Sequence, residues 1–316
     1  MIGQTTSEIN NYAREVGAGD PGGYMTYTSI DDLNGLTKPY EGTECDDAGI
    51  VDFAGLVKRY PRSVGQIGLG MRGEADWVNT GAFDENIRRL GEVIRQTNKP
   101  VFLRIGYEFD GPWNSYQPAV YVSAFQRIVS ILRGETVNHH AINPVNNVAF
   151  VWHSAAWNTF ENRPVGAWYP GDNYVDWIAV SWLAWPTSRE NKAGEVSRSR
   201  VLDFAKRHEK PVMIAESAPK KYFPPANPQS WDGWYSKVFN WISVNDIKAF
   251  SYINQDWNAQ PMWVNPACNT GMDWGDSRVQ HGSSSVLNRW QVAVRNPRFI
   301  KPSDGLFEII GFKPEH

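Results

Sequence analysis

Eight short apolar runs recur along this chain, and the stretches between them carry apolar residues at helical spacing. The runs are "MIGQ" (1–4), "GYMTYTS" (23–29), "VGQIGLGM" (64–71), "VFLRIGY" (101–107), "NVAFVWHS" (147–154), "VDWIAVSW" (175–182), "PVMIAES" (211–217) and "IKAFSYIN" (247–254). Near-continuous apolar runs of this length read as strands buried on both faces. Between them, "DENIRRLGEVIRQTN" (84–98) places Ile87, Leu90, Val93 and Ile94 on one helical face. "PAVYVSAFQRIVSILRG" (118–134) repeats Val122, Phe125, Ile128, Val129 and Leu132 in the same way, and helices are also expected over 197–211 and 231–245. Strands alternating with helices predict a parallel sheet. Eight such units in 316 residues predict an α/β fold, a (β/α)8 TIM barrel forming a single domain over residues 1–316. An open doubly wound sheet would use fewer strands and open with a Gly-rich phosphate loop, where this chain has "GQTTSE".

Several function classes are disfavoured. The net charge is −3 with no basic run, so no nucleic-acid partner is expected. No apolar run reaches the roughly 18 residues of a membrane helix, and "MIGQTTSEINN" lacks a signal-peptide layout. CxxC and HExxH spacings are absent, and His153 is the sole histidine at a strand end, so neither a metal nor a cofactor is expected. His139 and His140 read as exposed loop, and "LVKRYPR" (56–62) as a solvated helix end. Cys45 and Cys268, the only cysteines, either form one disulfide or stay two buried thiols.

Aromatic residues are abundant: 15 Trp, 13 Tyr and 14 Phe. Many tryptophans fall in loop-like segments, among them Trp113, Trp157, Trp182, Trp185, Trp257, Trp263 and Trp274. Rigid apolar rings suit the apolar faces of sugars. In a barrel the reacting groups stand at the C-terminal strand ends. Glu108 ends the fourth predicted strand and Glu216 the seventh, so both carboxylates can face one cleft. Two carboxylates flanking a cleft are what glycoside hydrolysis requires: one protonates the leaving oxygen, the other attacks the anomeric carbon or activates water. Arg104 can hold Glu216 by a charge-assisted hydrogen bond, a role compatible with a plain core ion pair. Glu108, buried beside Tyr107, Phe109 and Trp113, would have a raised pKa.

The pieces "PVFLRIGYEFDGPWN", "WYPGDNYVDWIAVSW" and "KPVMIAES" resemble glycoside hydrolase clan A and, within it, family 26 of β-mannanases, β-1,3-xylanases and lichenases. The likeness spans nearly the whole chain. It implies a retaining, endo-acting β-glycoside hydrolase with Glu216 as nucleophile and Glu108 as acid/base. Arg104 matches the family's Arg-x-x-x-Glu pattern, and Trp257 matches a clan tryptophan at the floor of the cleaved-bond subsite. Trp113, Trp157, Trp182 and Trp185 are expected to line flanking subsites, with Tyr107, Asn254 and Asp256 at the same mouth. Gln255 is expected there too. His153 either bonds substrate or is a satisfied core histidine. Asp110 either bonds hydroxyls or organises its turn. The loop "MDWGDSRVQ" (272–280) either covers the cleft or is plain surface.

The chain departs from the family's mannanases in two places. Tyr107 stands where they carry His before the acid/base, and "VSWL" stands where they carry a Tyr that bonds the nucleophile. Both departures bear on mannan specificity more than on hydrolysis. The expected partner is a polysaccharide or oligosaccharide, and the expected form is a monomer with no membrane partner. The expected location is extracellular or periplasmic, with any leader already removed. A transglycosylase using the same intermediate and a non-catalytic carbohydrate-binding barrel are the alternatives.

Overall fold

The computed structural model describes residues 1–42, 45, 49–157, 164–268 and 273–312. Nine parallel strands make one sheet: β1 (Ile2–Gly3), β2 (Gly23–Ser29), β3 (Val64–Gly70), β4 (Val101–Ile105), β5 (Val148–Ser154), β6 (Trp177–Leu183), β7 (Val212–Ala218), β8 (Ala249–Phe250) and β9 (Tyr252–Ile253). The order runs β8-β7-β6-β5-β4-β3-β2-β1-β9. β8 and β9 are the two halves of the expected eighth strand. Ser251 between them donates its N–H to the Ile214 carbonyl of β7, and Tyr252 then donates to Met1 beside β1. The eighth stave thus changes partner midway and closes the barrel. The eight predicted runs match the staves to within about two residues at each end.

Two helical expectations change. The helix expected from residue 197 begins at Ser188 and ends at Arg207, because Thr187 and Glu190 form a reciprocal capping box ahead of it. Ser197 and Ser199, at the expected start, therefore lie inside the helix, where Gly194 and Ser197 line its buried face. The helix expected over 231–245 opens with a π turn, Trp231–Tyr235, before the α-helix Ser236–Val244. Between β5 and β6 the described residues hold only a 3-10 turn, Val165–Trp168. The helices Asp84–Thr97 and Pro118–Leu132 form as expected, and both bury their apolar stripes.

The core has two parts. An annulus between staves and helices is filled by residues such as Leu103, Phe125, Ile128, Trp152 and Ile214. The barrel interior holds Val151, Ala179, Met213 and Ala215 with Phe102 and Trp177 against them. At the C-terminal mouth a separate cluster joins Met25, Tyr27, Leu183, Ile253 and Trp257 to Tyr107, Trp185, Trp263 and Trp274. Cys45 and Cys268 form a disulfide that ties the loop after β2 to the loop after β9. No helix among the described residues is long and apolar enough to cross a membrane.

Candidate active site

β4 ends at Ile105 because the chain turns left-handed. Gly106 has φ 54°, and a Cβ there would stand 2.7 Å from the Tyr121 ring. Glu108 takes φ 54° as well, a conformation that a non-glycine residue adopts only when its surroundings hold it. Asn114 supplies that hold by donating to the carbonyls of Tyr107 (3.0 Å) and Glu108 (2.9 Å). Phe109 donates its N–H to the His153 carbonyl. The Glu108 carboxyl is thereby buried over the barrel mouth.

Arg104 is fully buried in β4 and pairs with Glu216 of β7. Room for its guanidinium comes from Gly68 on β3: a Cβ there would stand 2.7 Å from Arg104 Nη2. The guanidinium also lies over the rings of Tyr27 (4.9 Å) and Tyr107 (5.2 Å). From it a directed chain of hydrogen bonds runs across three staves. Arg104 Nη1 donates to His153 Nδ1 (3.2 Å), since arginine can only donate. His153 Nε2 then carries the proton and donates to Ser181 Oγ (3.0 Å). Ser181 donates to Glu108 Oε1 (2.6 Å). The other oxygen, Oε2, accepts from Trp113 Nε1 (3.0 Å).

The electrostatics follow. Burial, reinforced by the nearby Glu216 charge, pushes the Glu108 carboxyl up to about 8. Burial and then Arg104 hold His153 well below its ordinary value, so the imidazole is neutral. Burial first, then Glu216, keeps the Tyr27 phenol well above the usual range. Among the described residues no group of three or more His, Cys, Asp or Glu side chains is placed to hold a metal ion.

The expected site residues separate into two groups. Glu108, Glu216, Arg104, Tyr107, Trp113, His153, Trp157, Trp185 and Trp257 meet at or under the mouth. Trp113, Trp157 and Trp185 form a row, with centroids 5.9 and 5.6 Å apart. Trp257 is buried, with Trp274 edge-on at 5.2 Å. His153 is the satisfied core histidine rather than a cleft group. Trp182 faces the annulus instead, because Ser181 beside it takes the inward position; its ring packs between Arg198 (3.9 Å) and Trp241 (5.4 Å).

Asn254 and Asp256 are spent internally. Asn254 is fully buried, donates to Gln280 and accepts from Val279 N–H. Asp256 pairs with Arg278 and accepts from Asn258 N–H. Gln255 is likewise buried, and its side chain accepts from Thr5. Asp110 organises its turn: it accepts from Ser154 Oγ and Ala155 N–H, and burial raises it to about 6. Phe109 stacks on Trp152 at 4.4 Å, in the annulus rather than beside the Glu108 carboxyl. In the loop 272–280, Met272 lies outside the described residues, while Trp274 packs at the mouth and Asp276 and Arg278 pair with each other. Two mouth residues had no sequence signal of their own: Tyr27, which reads as ordinary strand core, and Lys220.

The barrel thus brings two carboxylates to one mouth, Glu216 paired with a buried arginine and Glu108 pushed up by burial, an arrangement compatible with glycoside hydrolysis. No family model matches the chain. It is 31% identical to a β-1,3-xylanase of a Vibrio species over 331 residues, covering 98% of this chain and 67% of the relative. It is 30% identical to a β-1,3-xylanase of an Alcaligenes species, covering 98% and 66%. The chain thus spans about two thirds of the length of these relatives. Among solved structures, a family 26 β-mannanase of Bacteroides ovatus superposes with a TM-score of 0.63 at 16% identity, covering 98% of this chain and 88% of that one. The family 26 protein GH26C of a Muricauda species gives 0.62 at 16% identity, covering 96% and 87%. The chain belongs to glycoside hydrolase family 26.

Proposed function

We propose that the protein is an endo-acting, retaining β-glycan hydrolase, with Glu216 as nucleophile, Glu108 as acid/base and β-1,3-xylan as the first substrate to test. The observation that carries this reading is the contrast between the two carboxylates. Glu216 faces a buried guanidinium, while Glu108 is kept protonated near neutral pH by burial. In the first step the Glu216 carboxylate attacks the anomeric carbon, the glycosidic C–O bond breaks, and Glu108 gives its proton to the departing oxygen. In the second, water attacks the same carbon as Glu108 takes its proton, and the Glu216 ester bond is released. The row Trp113–Trp157–Trp185 offers successive stacking faces, which favours internal cleavage of a long chain. The names of the two curated relatives put β-1,3-xylan ahead of mannan. The Cys45–Cys268 disulfide favours an extracellular or periplasmic setting.

The test is a panel of β-1,3-xylan, β-mannan and mixed-linkage glucan, run with wild type, Glu108→Ala and Glu216→Ala. Wild type is expected to cleave one of them, with a drop of ~10³-fold in Glu216→Ala, about 4 kcal/mol of lost transition-state stabilisation. Proton NMR of the first-formed product reads retention directly. Cleavage that survives Glu216→Ala, or an inverted product, would sink the assignment.

A further inference from the structure

We propose that Lys220 is a substrate-binding, specificity-determining residue whose ammonium, seated between Trp185 and Trp274, donates hydrogen bonds to the hydroxyls of a neutral sugar unit bound at the mouth beside these rings. The proposal rests on the glycan reading of the same cleft and adds to it a polar anchor.

Lys220 stands two residues beyond β7, the stave that carries Glu216, and opens the 3-10 turn Lys220–Tyr222. Its backbone takes φ 52°, the left-handed region again, and its side chain is 2% exposed. Nζ lies 4.2 Å from the Trp185 ring centroid and 4.0 Å from that of Trp274, with Tyr222 farther off at 5.8 Å. Among the described residues no carboxylate comes within ion-pair distance of it and no acceptor bonds it. Its neighbour Lys221 does have such a partner, Asp273 at 3.3 Å.

An ammonium largely screened from water without a counterion is unfavourable, and cation–π contact with two rings offsets only part of that. No protein acceptor among the described residues takes its N–H donors, which are left to the solvent or ligand at the mouth. A pyranose supplies what is missing: its faces stack on rings while its hydroxyl edge presents lone pairs. The position fits this use. Trp185 continues the row from Trp157 and Trp113, and Trp274 continues to Trp263 (4.5 Å) and Trp257 (5.2 Å). Lys220 joins the two aromatic groups, within the electrostatic reach of Glu108. An ammonium can only donate, so it favours sugars whose hydroxyl lone pairs turn toward it.

Burial lowers the Lys220 pKa to about 8; the fields of Glu108 and Glu190 oppose that shift and Lys221 adds to it. Below that pH the charged donor is present, and above it the neutral amine binds hydroxyls less well. Affinity should therefore fall as pH rises.

The experiment uses Glu108→Gln, which removes the neighbouring carboxyl that also titrates at about 8. Oligosaccharides of whichever panel polysaccharide wild type cleaves are titrated against it by tryptophan fluorescence, from about pH 6 to about pH 9.5. Binding is expected to weaken at least ~10-fold through that range. Adding Lys220→Met should weaken binding roughly 10- to 100-fold at the low-pH end and flatten the profile. Lys220→Arg should restore much of the affinity without the pH dependence. In the otherwise wild-type enzyme, Lys220→Met should raise KM more than it lowers kcat. A Lys220→Met variant that binds as tightly as its parent, or keeps the pH dependence, overturns the proposal. So does a variant whose Tm and kcat fall while Kd stays put, the pattern of a mere support for the rings. If wild type cleaves none of the panel, the functional reading fails and this proposal with it. If wild type cleaves but Kd and KM ignore Lys220, this proposal alone fails.

Discussion

Ser181→Ala should move the alkaline limb of the pH–rate profile upward. Ser181 is buried and donates to Glu108 Oε1 at 2.6 Å. A donor stabilises the carboxylate more than the neutral acid, so Ser181 works against the burial that raises Glu108 to about 8. In the proposed mechanism the protonated form begins the reaction. Activity is then present below the Glu108 pKa and lost as pH rises through it. A hydrogen bond to a charged group is worth roughly 1.5–3 kcal/mol, part of which the neutral acid keeps. At about 1.4 kcal/mol per pKa unit, removing it should raise the limb by about one unit.

The assay is kcat/KM against pH on the polysaccharide wild type cleaves, with Ser181→Thr beside it as a variant that keeps the hydroxyl. Ser181→Ala also strands the His153 Nε2 proton, so its Tm should fall by an amount fitting about 1–3 kcal/mol. The Tm change and the limb shift are separate readings. A limb that stays in place or moves down, with the fold intact, would refute the reasoning, because the hydrogen bond could then not be acting on the acid.

Arg104→Met should cost about 3–5 kcal/mol, since it leaves the buried Glu216 without its partner; the double variant Arg104→Met/Glu216→Gln should recover most of the Tm and none of the activity. Gly68→Ala should cost about 1–3 kcal/mol and lower kcat, because its Cβ would meet Arg104 and the Tyr27 ring at 2.7 Å; a variant with unchanged melting and turnover would contradict the packing argument. Cys45→Ser should lower the denaturant midpoint by an amount fitting about 2–5 kcal/mol, because the disulfide closes a sequence separation of 223 residues; wild type treated with reductant should match it.

The staves were legible because strands covered on both faces must be apolar along their whole length. Glu108 and Glu216 stood out for the same reason: a carboxylate at the end of such a run has no ordinary place to go. The break at Ser251 was not legible, since "AFSYI" reads as one strand and only closure of the barrel divides its partners. Lys220 was hidden by its context, because "PKKY" reads as an exposed turn while the fold turns one lysine inward and leaves the next outside. Trp182 could have been placed by alternation, once Ser181 was taken as inward. Strand periodicity does not set the facing of Glu108, which lies past the strand in a left-handed turn.

Alternation by itself would also have misplaced Glu216. Met213 and Ala215 face the barrel interior, so a regular strand would turn Glu216 outward. The ladder between β6 and β7 slips by one residue: Val180 pairs with Ile214, but Ser181 pairs with Glu216. The extra residue, Ala215, makes a bulge, and bulges re-aim side chains. Glu216 thereby joins the inward-facing Arg104, His153 and Ser181, one from each of four neighbouring staves. Donor direction does the rest. The guanidinium has no acceptor, so every proton in the chain points from Arg104 toward a carboxylate, to Glu216 directly and to Glu108 through His153 and Ser181. Glu108 Oε1 can then only accept. When the carboxyl is protonated, its proton is left on Oε2, the oxygen beside Trp113, a residue 38% exposed. In the proposed mechanism, that is the oxygen whose proton passes to the departing glycosidic oxygen.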